Sequence, residues 1–127
     1  MGSGITQVSA AAGLDVLLWD LNMELVEKGI AKITASIDGR IAKGKMTQAD
    51  KDSILSQVIP CTELQRAAEA DLIIEVVGEN EEIKKKVLAE TESYASEKAY
   101  FATNTSYIPI TSLATALKRP ERFIGLH

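Results

Sequence analysis

The sequence predicts an α/β fold built on a parallel sheet. Three observations carry that prediction. Short apolar runs of strand length alternate with longer stretches of helical periodicity. Capping and turn residues separate most of these segments. Polar residues also follow the apolar runs, where open parallel sheets bind ligands.

The elements follow in order. Residues 2–12 are small-residue rich and close on Gly13, placed as the C′ residue of a helix. Residues 15–20 form a short apolar run ending in Asp20, which suits a buried parallel strand. From Met23, the positions Val26, Ile30, Ile33, Ile37 and Ile41 recur every three or four residues and mark one face of a long helix. Lys43-Gly44-Lys45 should end it. Thr47 and Asp50 have the spacing of a capping box, with Asp in place of the usual Glu or Gln, for a second helix to about residue 57. The two make a helical hairpin at about residues 23–57.

Residues 58–62 are an edge-strand candidate, because Pro60 has no N–H to give a ladder. Thr62 and Gln65 have capping-box spacing for a short helix to Ala70. The strongest strand is residues 72–77, followed by a helix over residues 81–96 and a strand over residues 100–103. Asn104-Thr105-Ser106 should turn, residues 111–118 should form a short helix, and residues 123–126 a last strand. Alternating strands and helices with right-handed crossovers give the parallel sheet.

Composition narrows the function. A chain of 127 residues, 46% apolar and 25% charged, fits one globular domain and excludes disorder as its main description. No apolar run reaches the roughly 18 to 20 residues of a membrane helix. With one cysteine, Cys61, neither a disulfide framework nor a cysteine zinc site forms within the chain. The N-terminus lacks a basic region leading into an apolar core, so a reducing, cytoplasmic setting is expected. Net charge −4 and the absence of a long basic cluster argue against nucleic acid as partner. The triplet Lys84, Lys85 and Lys86 sits among Glu79, Glu81, Glu82 and Glu90 and reads most simply as the polar face of a helix.

The residues placed just after strands are Asp20, Glu79, Asn104, Thr105, Ser106 and His127. Asp20 stands about 20 residues after a Gly-x-Gly helix start, where a carboxylate accepts the ribose hydroxyls of NAD and repels the 2′-phosphate of NADP. It reads equally as a turn or N-cap carboxylate before the next helix. Gly2 and Gly4 offer close backbone approach at a helix N-terminus, although Met-Gly-Ser-Gly is also what a remnant of cloning looks like.

These blocks together carry a resemblance. They are residues 1–13, residues 15–20, Ile74-Glu75-Val76-Val77-Gly78-Glu79-Asn80 with Ile83-Lys84-Lys85-Lys86, Thr103-Asn104-Thr105-Ser106, and the closing run from Arg119 to Gly125-Leu126-His127. In this order and spacing the chain resembles the NAD-binding domain of the 3-hydroxyacyl-CoA dehydrogenase family, in particular its short-chain 3-hydroxybutyryl-CoA type. The likeness runs over essentially the whole chain.

The resemblance implies a Rossmann-type, doubly wound parallel sheet with the helical hairpin inserted after the strand ending at Asp20. It implies NAD as cofactor, with Gly2 and Gly4 on the pyrophosphate and Asp20 on the adenosine ribose. Glu79, Lys84 and Asn104 are assigned to the cofactor, and Ser106 to the nicotinamide and the substrate hydroxyl. His127 is the implied general base. The hairpin would clasp the CoA arm of an acyl-CoA substrate through Ser36 and Lys43, and full-length relatives are expected to be homodimers.

Departures from the family pattern set further expectations. Relatives carry a strand before the residue matching Met1, central in the sheet. Without it, backbone groups go unpaired at about 1 to 3 kcal/mol each, against a stability of about 5 to 15 kcal/mol for a domain. Relatives also continue past Gly-Leu-His with a glutamate that orients the histidine and a helical domain over the acyl group. Tyr107 replaces a family serine. The chain is thus expected to be a partial NAD-binding domain, first strand and helical domain absent, that is inactive on its own. Two other readings stand beside it. One is a non-enzymatic nucleotide-binding fragment or one that borrows a strand; the other is a dehydrogenase of free hydroxy acids, which the hairpin and the Thr-Asn-Thr-Ser and Gly-Leu-His blocks disfavour.

Overall fold

A computed structural model describes residues 1–127. The chain falls into two units, Met1–Glu63 and Leu64–His127. All strand pairing is parallel, as the sequence predicts, in one sheet of two strands and one of three.

The first unit begins with helix α1 (Gly2–Ala11). Ala12 closes it and Gly13 takes φ +87, the left-handed C′ conformation that glycine adopts without a Cβ penalty. Strand β1 (Val16–Trp19) follows and pairs with β2 (Val58–Cys61), Leu18 lying opposite Pro60. Because β2 has no neighbour on its far side, the proline's missing N–H costs no ladder bond.

Helix α2 (Met23–Ala42) starts at Asn22, whose side chain accepts the Leu25 N–H, and buries Val26, Ile33 and Ile37 along the expected stripe. Gly44 at φ +67 turns the chain into helix α3 (Gln48–Ser56). The capping box is present in full. Asp50 N–H donates to Thr47 Oγ1 at 3.1 Å, and Thr47 N–H donates to Asp50 Oδ2 at 2.8 Å. An ion pair of 2.7 Å from Lys51 to Asp38 joins the two helices of the hairpin. Ala10, Ile33, Ile37, Ile54 and Val58 form this unit's core.

In the second unit the pairing order is β3 (Leu72–Glu75), β4 (Tyr100–Thr103) and β5 (Phe123–Gly125). Helix α4 (Glu81–Tyr94) is capped by the Asn80 side chain, which accepts the Ile83 N–H. Helix α5 (Ile110–Ala114) is tied to it by a Ser112 hydroxyl that donates to Glu81. That bond and one from Lys85 hold the Glu81 carboxyl below its ordinary range, Lys85 contributing more. Leu88, Ala99, Phe101, Ile108, Leu113, Leu117 and Phe123 form the core.

Three elements differ from expectation, the last two for a visible reason. Residues Leu64–Glu69 form a 3-10 helix in place of an α-helix, and no Thr62–Gln65 capping box forms. The strand expected through residue 77 stops at Glu75, whose side chain takes the Val77 N–H that would have extended the ladder. The helix expected to residue 118 ends at Ala114, because Ala116 and Leu117 bond three residues back and the Lys118 and Arg119 N–H groups go to the buried Glu92 carboxylate. No helix is long and apolar enough to cross a membrane.

The capping box yields a prediction with a pH dependence. The Thr47 backbone and side-chain bonds hold Asp50 below its ordinary pKa. A lowered folded-state pKa stabilises above the unfolded value and is lost as pH falls through the folded one. The stability gap between the native chain and Asp50→Ala should therefore be full at neutral pH and close in acid. Thr47→Ala should cost about 1 kcal/mol in urea unfolding.

Candidate functional site

Each unit contributes a separate set of polar groups beyond the carboxyl ends of its strands. In the first unit, Asp20 stands one residue past β1. Its N–H donates to the Cys61 carbonyl at 3.3 Å, and its Oδ1 accepts the Leu21 N–H at 2.8 Å. Of the two structural roles open to it, the turn is therefore real, whereas the N-cap belongs to Asn22. Trp19, just before it, donates its indole N–H to the Thr62 carbonyl at 3.1 Å.

The N-terminus of α1 carries Gly2 and Gly4. Its first helical bond runs from Ile5 N–H to the Met1 carbonyl, so the N–H groups of Gly2, Ser3 and Gly4 stand ahead of the ladder. No side chain caps them and no acid occupies the first turn. A Cβ built on Gly4 would meet no atom within 4 Å. Ser36 lies exposed on α2 and Lys43 exposed at its C-cap.

The second unit brings most of the named residues together. Strands β4 and β5 are neighbours, so the segments leaving their carboxyl ends run side by side. Leu126 N–H donates to the Thr103 carbonyl at 2.8 Å, and Asn104 Nδ2 donates to the Leu126 carbonyl at 2.9 Å. His127 Nε2 then sits 3.2 Å from Ser106 Oγ, both side chains exposed to solvent. Which of the two atoms donates depends on the ring's tautomer.

Glu79 faces the same turn. Its Oε2 accepts the Thr105 hydroxyl at 2.7 Å and its Oε1 lies 3.4 Å from the Ser106 N–H. Lys84 is placed differently from its two lysine neighbours. Its side chain is only 1% exposed, and its ammonium donates to Glu75 Oε1 at 2.8 Å and to the Val77 carbonyl at 2.9 Å. Glu79 Oε1 lies 4.0 Å from it. The polar helix face read from the lysine triplet therefore holds for Lys85 and Lys86 and fails for Lys84, which points inward.

Two residues of this site carry no prediction from the sequence. Glu75 is buried with both oxygens engaged, Oε1 by Lys84 and the Val77 N–H, Oε2 by the Thr103 hydroxyl at 2.6 Å. Thr103 is fully buried. The available signal was a lone acid within the apolar run of residues 72–77, with lysines in the helix that follows.

Comparison with known proteins matches residues 1–127 to the 3-hydroxyacyl-CoA dehydrogenase, NAD binding domain. The chain belongs to this family. It is 39% identical over 127 residues to a 3-hydroxybutyryl-CoA dehydrogenase of Bradyrhizobium diazoefficiens, covering 43% of that protein. It is equally 39% identical to a 3-hydroxyadipyl-CoA dehydrogenase of Escherichia coli, covering 27% of it. The crystal structure of an (S)-3-hydroxybutyryl-CoA dehydrogenase from Ralstonia eutropha superposes with a TM-score of 0.98 at 39% identity, over 100% of this chain and 45% of that one. The two parallel sheets are those of a Rossmann-type dehydrogenase fold. The chain spans less than half the length of each of these relatives.

The first unit fits the cofactor of an NAD-binding domain. Unladdered N–H groups, open space at Gly4 and no acid in the first turn suit a pyrophosphate. A carboxylate at the end of β1 suits ribose hydroxyls.

The buried pair of this 3-hydroxyacyl-CoA dehydrogenase domain yields a stability prediction. Removing one member of a buried ion pair costs about 3–5 kcal/mol, because the other is left uncompensated. Lys84→Met should lose that much in denaturant unfolding, whereas Lys86→Met, at an exposed position, should lose about 0.5 kcal/mol or less.

Proposed function

We propose that the protein carrying this chain oxidises (S)-3-hydroxyacyl-CoA thioesters to 3-oxoacyl-CoA, with His127 as general base and Ser106 as its partner. The observation that supports this most is the 3.2 Å approach of Ser106 Oγ to His127 Nε2 beyond the carboxyl ends of neighbouring strands. The relatives, a 3-hydroxybutyryl-CoA and a 3-hydroxyadipyl-CoA dehydrogenase, point to the same chemistry.

Neutral imidazole protonated on Nδ1 presents Nε2 as a base. Nε2 takes the proton of the 3-hydroxyl as the hydrogen on C3 departs. NAD, when bound, would supply the acceptor for that hydrogen, which leaves as hydride. Ser106 Oγ, within reach of Nε2, offers a hydrogen bond to the substrate oxygen beside the ring. Glu79 and Asn104 line the cofactor's course at the ends of β3 and β4. In the first unit, Gly2 and Gly4 take the pyrophosphate and Asp20 the adenosine ribose, where its charge repels a 2′-phosphate and selects NAD. Ser36 and Lys43, exposed on the hairpin, take the CoA arm. An ammonium suits the phosphates of that arm.

A second reading has one observation in its favour. β1 bonds only to β2, and β3 only to β4, so each has an edge open to an added strand. A chain that borrowed such a strand would sediment as an oligomer.

The test is a titration with NADH exciting Trp19, the single tryptophan. Saturable energy transfer is expected, with Asp20→Ala weakening affinity roughly tenfold to a hundredfold for the lost charged hydrogen bonds. No saturable transfer, or unchanged affinity in Asp20→Ala, would overturn the cofactor assignment. In the full-length protein His127→Ala should lower kcat on 3-hydroxybutyryl-CoA by about 10² to 10⁴. A smaller loss would remove the histidine from its role.

A further inference from the structure

We infer that Glu75 and Lys84 form a buried positioning device for the Ser106–His127 pair. On this inference Lys84 serves the site by holding Glu75, the Val77 carbonyl and Glu79 in place. The inference deepens the proposed reading of that pair and rests on it for the pair's catalytic meaning.

Two paths of hydrogen bonds leave Glu75 and converge on the Ser106 turn. The first runs through the loop after β3. Glu75 Oε1 accepts the Val77 N–H at 2.7 Å, and Lys84 donates to the Val77 carbonyl at 2.9 Å, so the groups of Val77 on either side of its Cα are pinned. Two residues on, Glu79 accepts the Thr105 hydroxyl at 2.7 Å and faces the Ser106 N–H at 3.4 Å.

The second path runs through β4. Thr103 Oγ1 donates its proton to Glu75 Oε2 at 2.6 Å. Its oxygen then faces the Thr105 N–H at 3.4 Å, and Thr105 Oγ1 in turn faces the Ile108 N–H at 3.3 Å. The Glu75 carbonyl also accepts the Asn104 N–H at 3.0 Å. Asn104 reaches across to the Leu126 carbonyl beside His127.

Burial makes this arrangement stiff. Glu75 is 5% exposed, Lys84 1% and Thr103 0%, and no buried side-chain polar atom in the chain lacks a partner. In a low-dielectric setting each bond of a satisfied network is strengthened and each orphaned group is costly, so the network has one good arrangement. That arrangement fixes residues 105 and 106 from two sides.

The test uses the 127-residue chain, in which His127 is the single histidine and so gives one imidazole signature. Thr103→Val keeps the side chain's shape, removes the hydroxyl and breaks the β4 path; Thr103→Ser retains the hydroxyl; Glu75→Gln keeps the shape and removes the charge. The readouts are the His127 ring ¹⁵N shifts, which report the bond at Nε2, and solvent exchange of the Ser106 amide, with core amides of Leu88 and Leu113 as the control for an intact fold.

Thr103→Val and Glu75→Gln should move the Nε2 shift and raise Ser106 amide exchange about tenfold, the size of one lost hydrogen bond. Thr103→Ser should restore both, and the core amides should stay protected. Unmoved His127 and Ser106 signals in Thr103→Val, or equal movement in Thr103→Ser, would overturn the inference. If Glu75→Gln fails to fold, the threonine pair decides alone. These signals need no cofactor, so an absence of NADH binding with the expected shifts would sink the functional reading and leave the positioning device standing.

Discussion

A carboxylate and an ammonium buried together must have their polar atoms met, and in residues 64–127 that demand decides the local geometry. Glu75 satisfies its oxygens with Lys84, the Val77 N–H and the Thr103 hydroxyl. Three consequences follow. Strand β3 stops at Glu75, α4 presents one lysine of its triplet inward, and the residues after β4 are tied to those after β3. Apolar side chains of similar volume would fill the same space, and such replacements are often neutral for stability. They would not specify which peptide groups meet at the strand ends.

Residues 1–63 rest on a different constraint, the satisfaction of helix ends. Gly13 and Gly44 let α1 and α2 terminate in left-handed turns, and Asn22 and the Thr47–Asp50 box begin α2 and α3. One helix end stands apart. The N-terminus of α1 has no cap, and it lies in the unit whose first strand delivers Asp20. A helix start without a capping side chain leaves its first N–H groups available to an anion.

The Ser106–His127 pair draws on both parallel pairing and side-chain clamping. The β4–β5 ladder brings residues 103 and 125 into register, and the Asn104 side chain carries the alignment one residue beyond the ladder. Parallel strands leave the sheet at the same edge, so turn residues distant in sequence meet there. Ser106 and His127, 21 positions apart, come within 3.2 Å for this reason.

By itself the sequence determined the element order, the parallel α/β class, the apolar face of α2, the Gly13 terminus, the capping box and the family. These depend on periods, caps and motif order within a few residues of one another. It also placed Asp20, Asn104, Ser106 and His127 just beyond their strands. The tertiary structure alone decided that Lys84 turns inward, that Glu75 and Thr103 belong to the site, and that α5 stops where Glu92 captures the next N–H groups. Those outcomes turn on partners 9 to 28 residues away for Glu75 and 26 to 27 for Glu92. A lysine in a helix shows the same local pattern whether it faces water or a buried carboxylate. Only the packed position of the carboxylate distinguishes them, because burial without a partner would cost more than exposure.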